Sequence, residues 1–227
     1  MRIFAINNTQ LIYNKKNQNK QILNTSNLFK KENNISFGRG EKAIATAVQE
    51  FVKKLYKEQI SYDIFKTPNS TTVVEFKDVQ RIAKTTSFLP NGIKKILVYN
   101  HDGETPSIAY KYKKNKLQST ITFALDGRKL KKETFLPNGI RETKTSYVGH
   151  ANFPKTKILF HKDGKTPKIE KIFFENSKVP REIKEYDKLG FLKTKEEYNE
   201  AGKLLFTTNY DKKGNIIKTH AEKLWFQ

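Results

Sequence analysis

The stretch EYDKLGFLKTKEEYNEAGKLLFTTNYDKKGNI at residues 185–216 repeats one unit three times, an aromatic residue followed four positions later by glycine. The pairs are Tyr186 with Gly190, Tyr198 with Gly202 and Tyr210 with Gly214. A glycine at a fixed place supplies the positive φ that a tight chain reversal needs. About eight residues then remain before the next aromatic residue, enough for a strand of roughly 26 Å. The stretch therefore predicts an antiparallel meander with one strand and one turn in each unit of 12 residues.

The same unit continues upstream as far as Phe88, with an aromatic residue about every 12 positions. FLPNGI at 88–93 returns at 135–140, and KILVYNHDGETP at 95–106 returns as KILFHKDGKTP at 157–167. Asp-Gly and Asn-Gly are strong hairpin signals, so we expect an array of roughly eleven strands with every second turn on the same edge. The predicted structural turn residues are Gly92, Gly103, Asn115, Gly127, Gly139, Gly164, Gly190, Gly202 and Gly214.

Alternation within the strands indicates how much of this sheet is buried. In 128–135, the face that carries Phe135 also carries Lys129, Lys131 and Glu133. Such strands are too polar to be sealed inside a two-layer core. We therefore expect a mainly β (α+β) fold, in which one N-terminal amphipathic helix packs on a long, largely single-layer antiparallel meander. Aromatic residues should stack across neighbouring strands.

Upstream of the array, residues 41–59 are the one convincing helix. Their apolar side chains fall at helical spacing on one stripe, predicted to cover the N-terminal part of the sheet. Residues 61–69 are interpreted as a loop because the segment contains Pro68 and Asn69 and is followed by Ser70, all residues typical of turns. Strands are predicted at 71–76 and 79–88.

Three segments follow from these elements. Residues 1–39, rich in Asn and Lys, are interpreted as a flexible leader, with a docking motif around 35–37 as the alternative. Residues 40–87 form an N-terminal cap of helix and first strands, and residues 88–227 form the repeat array. Leu224, Trp225 and Phe226 are interpreted as the C-terminal cap of the array.

The repeat units resemble two known families. EYDKLG (185–190), EYNEAGKL (197–204) and NYDKKGNI (209–216) resemble YD repeats, while FLPNGI and YNHDGE are similar to the variant MORN repeats of bacterial antitoxin-like proteins. The resemblance covers about 130 residues. It implies a short β-repeat architecture. An immunity-like or scaffold role belongs to the leading hypothesis below, and the sequence does not choose between the two.

The chain carries a formal net charge of +21, with 44 Lys and Arg against 23 Asp and Glu. Only six of the basic residues are Arg, the better planar donor for phosphates and bases. The charge is therefore compatible with a solvated, solubilising surface and with a surface for an anionic partner. The sequence has no recognisable signal peptide or membrane-spanning stretch, so a cytoplasmic location is the default expectation.

No pattern of catalytic residues occurs in the sequence. The absence of Cys excludes disulfides, thiolate metal ligands and a Cys nucleophile. The four His residues, His101, His150, His161 and His220, lack partners at metal-ligand spacing and are interpreted as turn or chain-end residues, although His101 and His161 could approach if the two repeat copies stacked. Glu196 with Glu197 and Glu182 with Glu185 could act as carboxylate pairs, but cross-strand ion pairs are the favoured interpretation.

These observations predict a non-enzymatic protein that needs no cofactor or metal. The leading hypothesis is a protein-interaction module or scaffold that uses an extended face rich in aromatic residues and Lys. Nucleic-acid or anionic-surface binding through Lys and exposed Tyr is the alternative. A third hypothesis, an enzyme, would require a concave pocket with converging polar groups between helix 41–59 and the first strands. The candidate binding residues are Tyr99, Tyr112, Tyr147, Tyr186, Tyr198 and Tyr210.

Overall fold

The computed structural model describes residues 39–78, 80–149 and 152–221. The predicted leader, the motif around 35–37, His150 and the C-terminal cap at 224–226 lie outside these ranges, apart from the last leader residue, Arg39. The described residues form one helix, α1 (Arg39–Lys57), and fourteen strands in a single sheet. Each strand is hydrogen-bonded, antiparallel, to the strand that follows it in sequence. The mainly β fold with an open meander is confirmed.

The strands are β1 (Tyr62–Thr67), β2 (Ser70–Phe76), β3 (Ile82–Leu89), β4 (Ile93–Tyr99), β5 (Pro106–Lys113), β6 (Lys116–Phe123), β7 (Lys129–Phe135), β8 (Arg141–Val148), β9 (Phe153–Phe160), β10 (Pro167–Phe173), β11 (Pro180–Tyr186), β12 (Leu192–Tyr198), β13 (Leu204–Tyr210) and β14 (Ile216–Ala221). A short 3₁₀ turn, Pro90–Gly92, joins β3 to β4. The array from β4 to β14 therefore has eleven strands.

The loop predicted for residues 61–69 is wrong, because most of it is the edge strand β1. Tyr62 and Ile64 alternate with polar Asp63 and pack against the helix-side core. Their partners across the sheet are Glu75 and Val73 of β2. The strand is short, and Phe65 lies on its other face between Asp63 and Thr67, so apolar residues occur on both faces and the period-2 pattern is weak in the sequence.

The core lies where α1 crosses β2 and β3, as the apolar stripe of the helix predicts. Val48, Val52 and Leu55 are buried against Val73 and Phe88. Burying each such side chain contributes about 1.5–3 kcal/mol. The Phe51 ring meets the Phe88 ring edge-on, with centroids 5.7 Å apart, which is a favourable aromatic geometry. The helix therefore covers only the N-terminal end of the sheet.

The turns follow the predicted chemistry. All nine predicted turn residues have positive φ. At Gly127, the backbone N–H donates to the Ala124 carbonyl at 2.9 Å, and the Ala124 N–H donates to the Arg128 carbonyl at 2.9 Å. This is a three-residue hairpin loop with its last residue in the left-handed region. The Asp126 carboxylate accepts from the Arg128 N–H at 3.1 Å, so the recurring Asp residues stabilise the turns.

Alternate turns pack along the same edge of the sheet. A Cβ added to Gly103 would lie 2.8 Å from Cα of Arg81, in the turn before β3, and one added to Gly164 would lie 2.7 Å from Cγ2 of Ile140, in the turn before β8. Gly103 and Gly164 belong to the two related sequence copies, at 95–106 and 157–167. In both copies the backbone approaches the neighbouring turn too closely for any side chain at the glycine.

Candidate functional site

The sheet has two faces with different chemistry. Side chains alternate between faces along a strand, and directly paired residues on neighbouring strands share a face. We call the face that includes Val73 the helix face, because α1 packs on it. The other face, which includes the Val73 neighbours Thr72 and Val74, is called the back face.

The six candidate tyrosines do not share one face. Tyr112, Tyr186 and Tyr210 lie on the helix face. Tyr99, Tyr147 and Tyr198 lie on the back face. Successive units are related by a twofold rotation about an axis in the plane of the sheet. The aromatic residue at the end of one strand therefore lies at the opposite edge, and on the opposite face, from the aromatic residue at the end of the next strand.

The strand-end rings therefore form two rows. On the helix face, one row runs along the edge that carries the β3–β4 turn, and consists of Phe88, Tyr112, Phe135, Phe160, Tyr186 and Tyr210. On the back face, the other row runs along the opposite edge, and consists of Phe76, Tyr99, Phe123, Tyr147, Phe173 and Tyr198. Neighbouring members of a row are two strands apart, roughly 10 Å.

Charges on the helix face are balanced. Its two central rows, from β2 to β12, carry five lysines and five glutamates, which are Lys84, Lys131, Lys144, Lys184, Lys195, Glu75, Glu133, Glu170, Glu182 and Glu197. Lys131 Nζ lies 3.1 Å from the Glu133 carboxylate, and Lys195 Nζ lies 3.0 Å from that of Glu197. The hydrogen bond to Glu197 raises the pKa of Lys195. The lysines of this face are thus largely neutralised by the chain itself.

The back face is different between β4 and β10. Its two central rows carry five lysines and no carboxylate there, and these lysines are Lys95, Lys111, Lys132, Lys157 and Lys171. None of the five is ion-paired with a residue in the described part of the chain. We call this group the lysine band. Carboxylates enter the same rows only at β11 and β12, with Glu185 and Glu196.

Two pairs within the lysine band face each other directly. Lys95 is the register partner of Lys111, and Lys157 is the register partner of Lys171. Like charges directly opposite each other on neighbouring strands are destabilising. The sheet therefore holds an uncompensated concentration of positive charge on one face, which overall composition alone did not locate.

Two tyrosines share one further feature, a carboxylate partner. Tyr186 Oη donates to Glu170 at 2.9 Å on the helix face, and Tyr198 Oη donates to Glu196 at 2.6 Å on the back face. Burial, followed by the hydrogen-bonded carboxylate, raises the pKa of each phenol to about 12. These hydroxyls therefore stay protonated at neutral pH, and they tie Tyr186 to the neighbouring strand β10 and Tyr198 to a residue of its own strand β12.

The suggested approach of His101 and His161 is wrong. His101, in the β4–β5 turn, lies with Nδ1 2.9 Å from the Arg81 guanidinium. His161, in the β9–β10 turn on the opposite edge, lies with Nε2 3.2 Å from the Tyr186 carbonyl. Among the described residues, no group of three or more His, Cys, Asp or Glu side chains converges as metal ligands.

The carboxylate pairs considered from sequence are divided between the faces. Glu182 and Glu197 face each other on the helix face, with Lys184 3.4 Å from Glu182. Glu185 and Glu196 lie on the back face, where Glu185 is 3.9 Å from Lys193 across the strand pair. The Glu182–Lys184 pair therefore lies within one strand, whereas the Glu185–Lys193 pair crosses between strands, as the sequence predicted.

A groove of about 630 Å³ lies between α1 and the β3–β4 turn. Its floor includes Phe51, Phe88 and Ile93, and Glu50, Lys54 and Lys94 lie along its walls. Lys94 Nζ is 4.9 Å from the centre of the Tyr112 ring, a cation–π distance. The groove is an apolar gap beside the covered end of the sheet.

Within the described residues, no helix has the length and apolar character needed to cross a membrane.

Among known proteins, only solved structures with a partial likeness to this chain were found. No protein-family model and no curated protein matches the sequence. Solved structures with partial likeness include a mutant of Staphylococcus aureus TarM in complex with fondaparinux, alpha-GlcNAc-glycerol and UDP (10% identity, TM-score 0.35, 48% of this chain and 22% of that chain). Others are TarM (10%, 0.36, 59% and 25%) and accessory secretory protein 1,2 and 3 in Streptococcus pneumoniae (14%, 0.28, 50% and 18%).

The chain thus spans a quarter or less of the length of these solved chains. At these identities and TM-scores the likeness supports no statement about activity, substrate or partner.

Proposed function

We propose that the protein is a non-enzymatic interaction module, a short β-repeat scaffold that binds a partner protein along its helix face. The resemblance of its units to YD and variant MORN repeats is part of this proposal. The observation that carries it is the ring row of the helix face. Phe88, at the start of the row, is covered by Phe51 of α1. The equivalent rings Tyr112, Phe135, Phe160 and Tyr186 are half-buried and lie beyond the strands on which α1 packs. Cationic side chains lie over two of them, Lys94 over Tyr112 at 4.9 Å and Arg141 over Phe160 at 5.3 Å.

The packing of α1 supplies a precedent for the occupant. An amphipathic helix already covers one end of this face, with Val48, Val52 and Leu55 buried against it. Further along, the same face offers aromatic rings between ion pairs of balanced sign. Aromatic residues are enriched at protein interfaces, whereas unpaired charges are depleted at their centres. An amphipathic segment of a partner protein fits this surface better than a highly charged polymer does.

A matched pair of substitutions on β13 tests the proposal. Phe206 lies on the helix face with 43% of its surface exposed, and Thr207 lies beside it on the back face. Capture from a native-host lysate should recover a stoichiometric protein partner with the wild type and with Thr207→Lys, but not with Phe206→Lys. Both variants add one positive charge, so bulk charge is controlled.

Site-specific photo-crosslinking gives the same test without washing steps. A benzoylphenylalanine at position 160, on the helix face, should yield one protein adduct of defined mass, and one at position 173, on the back face, should not. Absence of any adduct at position 160, or equal adducts at both positions, would contradict the proposal.

A further inference from the structure

The back face differs from the helix face in its charge, and it carries a row of half-buried rings beside that charge. We propose that the lysine band and the adjacent ring row of β4–β10 bind single-stranded nucleic acid, a second function separate from protein binding. The lysines are Lys95, Lys111, Lys132, Lys157 and Lys171, and the rings beside them are Tyr99, Phe123, Tyr147 and Phe173. The inference rests on a combination that the described residues show on the back face: a ring row beside lysines without ion-pair partners, whereas the ring row of the helix face lies beside balanced charges.

The charge argument is one of segregation. Lysines on the helix face are accompanied by glutamates, whereas the lysine band has none in its two rows between β4 and β10. A solubilising charge has no reason to collect on one face and to leave the other balanced. One carboxylate enters the band, that of Glu142, which accepts from Thr134 at 3.1 Å. Thr134 stands in the same row as Lys95 and Lys111, and Glu142 forms no ion pair with any of the five lysines. An anionic polymer would relieve the repulsion between the facing pairs Lys95–Lys111 and Lys157–Lys171.

The dimensions suit a linear polyanion. From β4 to β10 the band crosses six strand spacings, roughly 29 Å at about 4.8 Å each. Lys95, Lys111 and Lys157 are exposed, and Lys132 and Lys171 are half-buried. Serine and threonine hydroxyls, such as those of Ser119 and Thr145, lie in the same rows between the lysines. These groups can donate hydrogen bonds to phosphate oxygens.

The ring row selects among anionic polymers. Tyr147 and Phe173 lie at the ends of β8 and β10, next to the row that holds Lys157 and Lys171. Unpaired bases stack on aromatic side chains beside a positively charged track, whatever the sequence of the strand. An acidic polypeptide would use the lysines but not the rings, and a duplex hides its bases. The combination therefore favours a single strand.

The binding test uses a fluorescently labelled 20-nucleotide oligothymidylate and the intact chain, read by anisotropy. Five phosphate contacts on a single strand predict a slope of about −3.5 for log K against log salt, or roughly a 100-fold loss of affinity between 50 and 200 mM. Lys157→Gln combined with Lys171→Gln should weaken binding on the order of 50-fold at 50 mM salt and reduce the slope by about 1.4.

The matched control removes two lysines from the helix face. Lys184→Gln combined with Lys195→Gln lowers the net charge equally but should leave affinity within about twofold. An equal loss in both double variants would overturn the proposal in favour of diffuse charge. Tyr147→Leu should weaken binding about tenfold through lost stacking, and no effect of that substitution would contradict the role of the rings.

Two further probes separate the possible anions. A 20-residue polyglutamate peptide and phosphatidylserine vesicles should bind more weakly than the oligothymidylate at the same salt concentration. Equal or tighter binding of either would overturn the assignment to nucleic acid, as would no binding of the oligothymidylate at 50 mM salt. Phe206→Lys, which should abolish capture of the protein partner, is expected to retain oligothymidylate binding, so failure of one proposal does not imply failure of the other.

Discussion

The three strands beneath the helix and the eleven strands beyond it use similar hairpins but bury their side chains differently. Of the nine buried non-glycine residues in the described chain, eight belong to α1, β2 and β3, and only Thr208 belongs to the array. The covered end has a conventional core, whereas the array is held by lateral contacts between half-buried residues of neighbouring strands. Among the described residues, α1 therefore stabilises one end of the sheet and leaves both faces of the array uncovered.

The largest effect should come from the covered end. Leu55 is 2% exposed and packs at the centre of the helix–sheet contact. Leu55→Ala should lower the free energy of unfolding by about 3 kcal/mol, because it leaves a cavity that the sheet cannot close. The measurement is urea unfolding followed by circular dichroism. Its neighbour Tyr56 is 66% exposed, and Tyr56→Ala should cost no more than about 0.5 kcal/mol. Similar losses in the two variants would contradict the core position of Leu55.

Breaking a buried ion pair at the covered end should lower the free energy of unfolding by a similar amount, whereas breaking an exposed ion pair in the array should not. Lys84 Nζ lies 2.8 Å from Glu75, whose side chain is 5% exposed. Lys84→Met should cost about 3 kcal/mol near neutral pH, because it leaves a buried carboxylate without its ammonium partner. In the array, Lys193 pairs with Glu185 at 3.9 Å in an exposed position, so Lys193→Met should change stability by less than about 0.5 kcal/mol. Equal unfolding free energies for the two variants would contradict the claim that the Lys84–Glu75 pair is buried and the Lys193–Glu185 pair is exposed.

Turn packing offers a smaller contrast within the array. Gly164 and Gly139 both have positive φ, so alanine strains either position by roughly 1 kcal/mol. At Gly164 the new Cβ would also lie 3.0 Å from the Arg141 backbone nitrogen, whereas at Gly139 nothing lies within 4 Å. Gly164→Ala should therefore be more destabilising than Gly139→Ala, by about 1–2 kcal/mol in thermal or urea unfolding. The reverse order would mean that alternate turns do not pack as described.

The smallest effect is a pH dependence shared by both faces. The pKa values of Tyr186 and Tyr198 are raised to about 12. Because a raised phenol pKa favours the neutral form in the folded state, this stabilisation is complete below about pH 10 and is lost as pH rises through 12. Burial also raises the pKa of Tyr62 and of Tyr147, so absorbance at 295 nm should show Tyr186 and Tyr198 within a late-titrating group of tyrosines. Tyr186→Phe and Tyr198→Phe should each remove one of them, and unchanged late titration in either variant would refute the assignment.

Much of this fold could be predicted from the sequence, since glycine spacing fixes the turns and period-2 alternation fixes the strands. The edge strand β1 could not, because Asp63 and Lys66 interrupt its apolar pattern and Pro68 follows it closely. The helix was predicted at 41–59 and lies at Arg39–Lys57, a shift common at helix ends.

The candidate binding residues were harder to group. Equal spacing in sequence suggested one tyrosine face, but Tyr186 and Tyr198 lie on opposite faces because every reversal also turns the sheet over. The segregation of lysines depends on register, including the bulges that follow most turns. A one-residue change in register would move Lys157 to the other face. Composition alone therefore gave the charge but not its location.

Amine-reactive footprinting of the native protein by mass spectrometry tests directly whether the array has one face with balanced charges and one face with unneutralised lysines. Lys95, Lys111 and Lys157 on the back face should acetylate faster than Lys184 and Lys195, which are held in ion pairs on the helix face. Oligothymidylate should protect only the back-face set. Equal modification rates for the two sets in the free protein, or slower modification of the back-face set, would contradict the account.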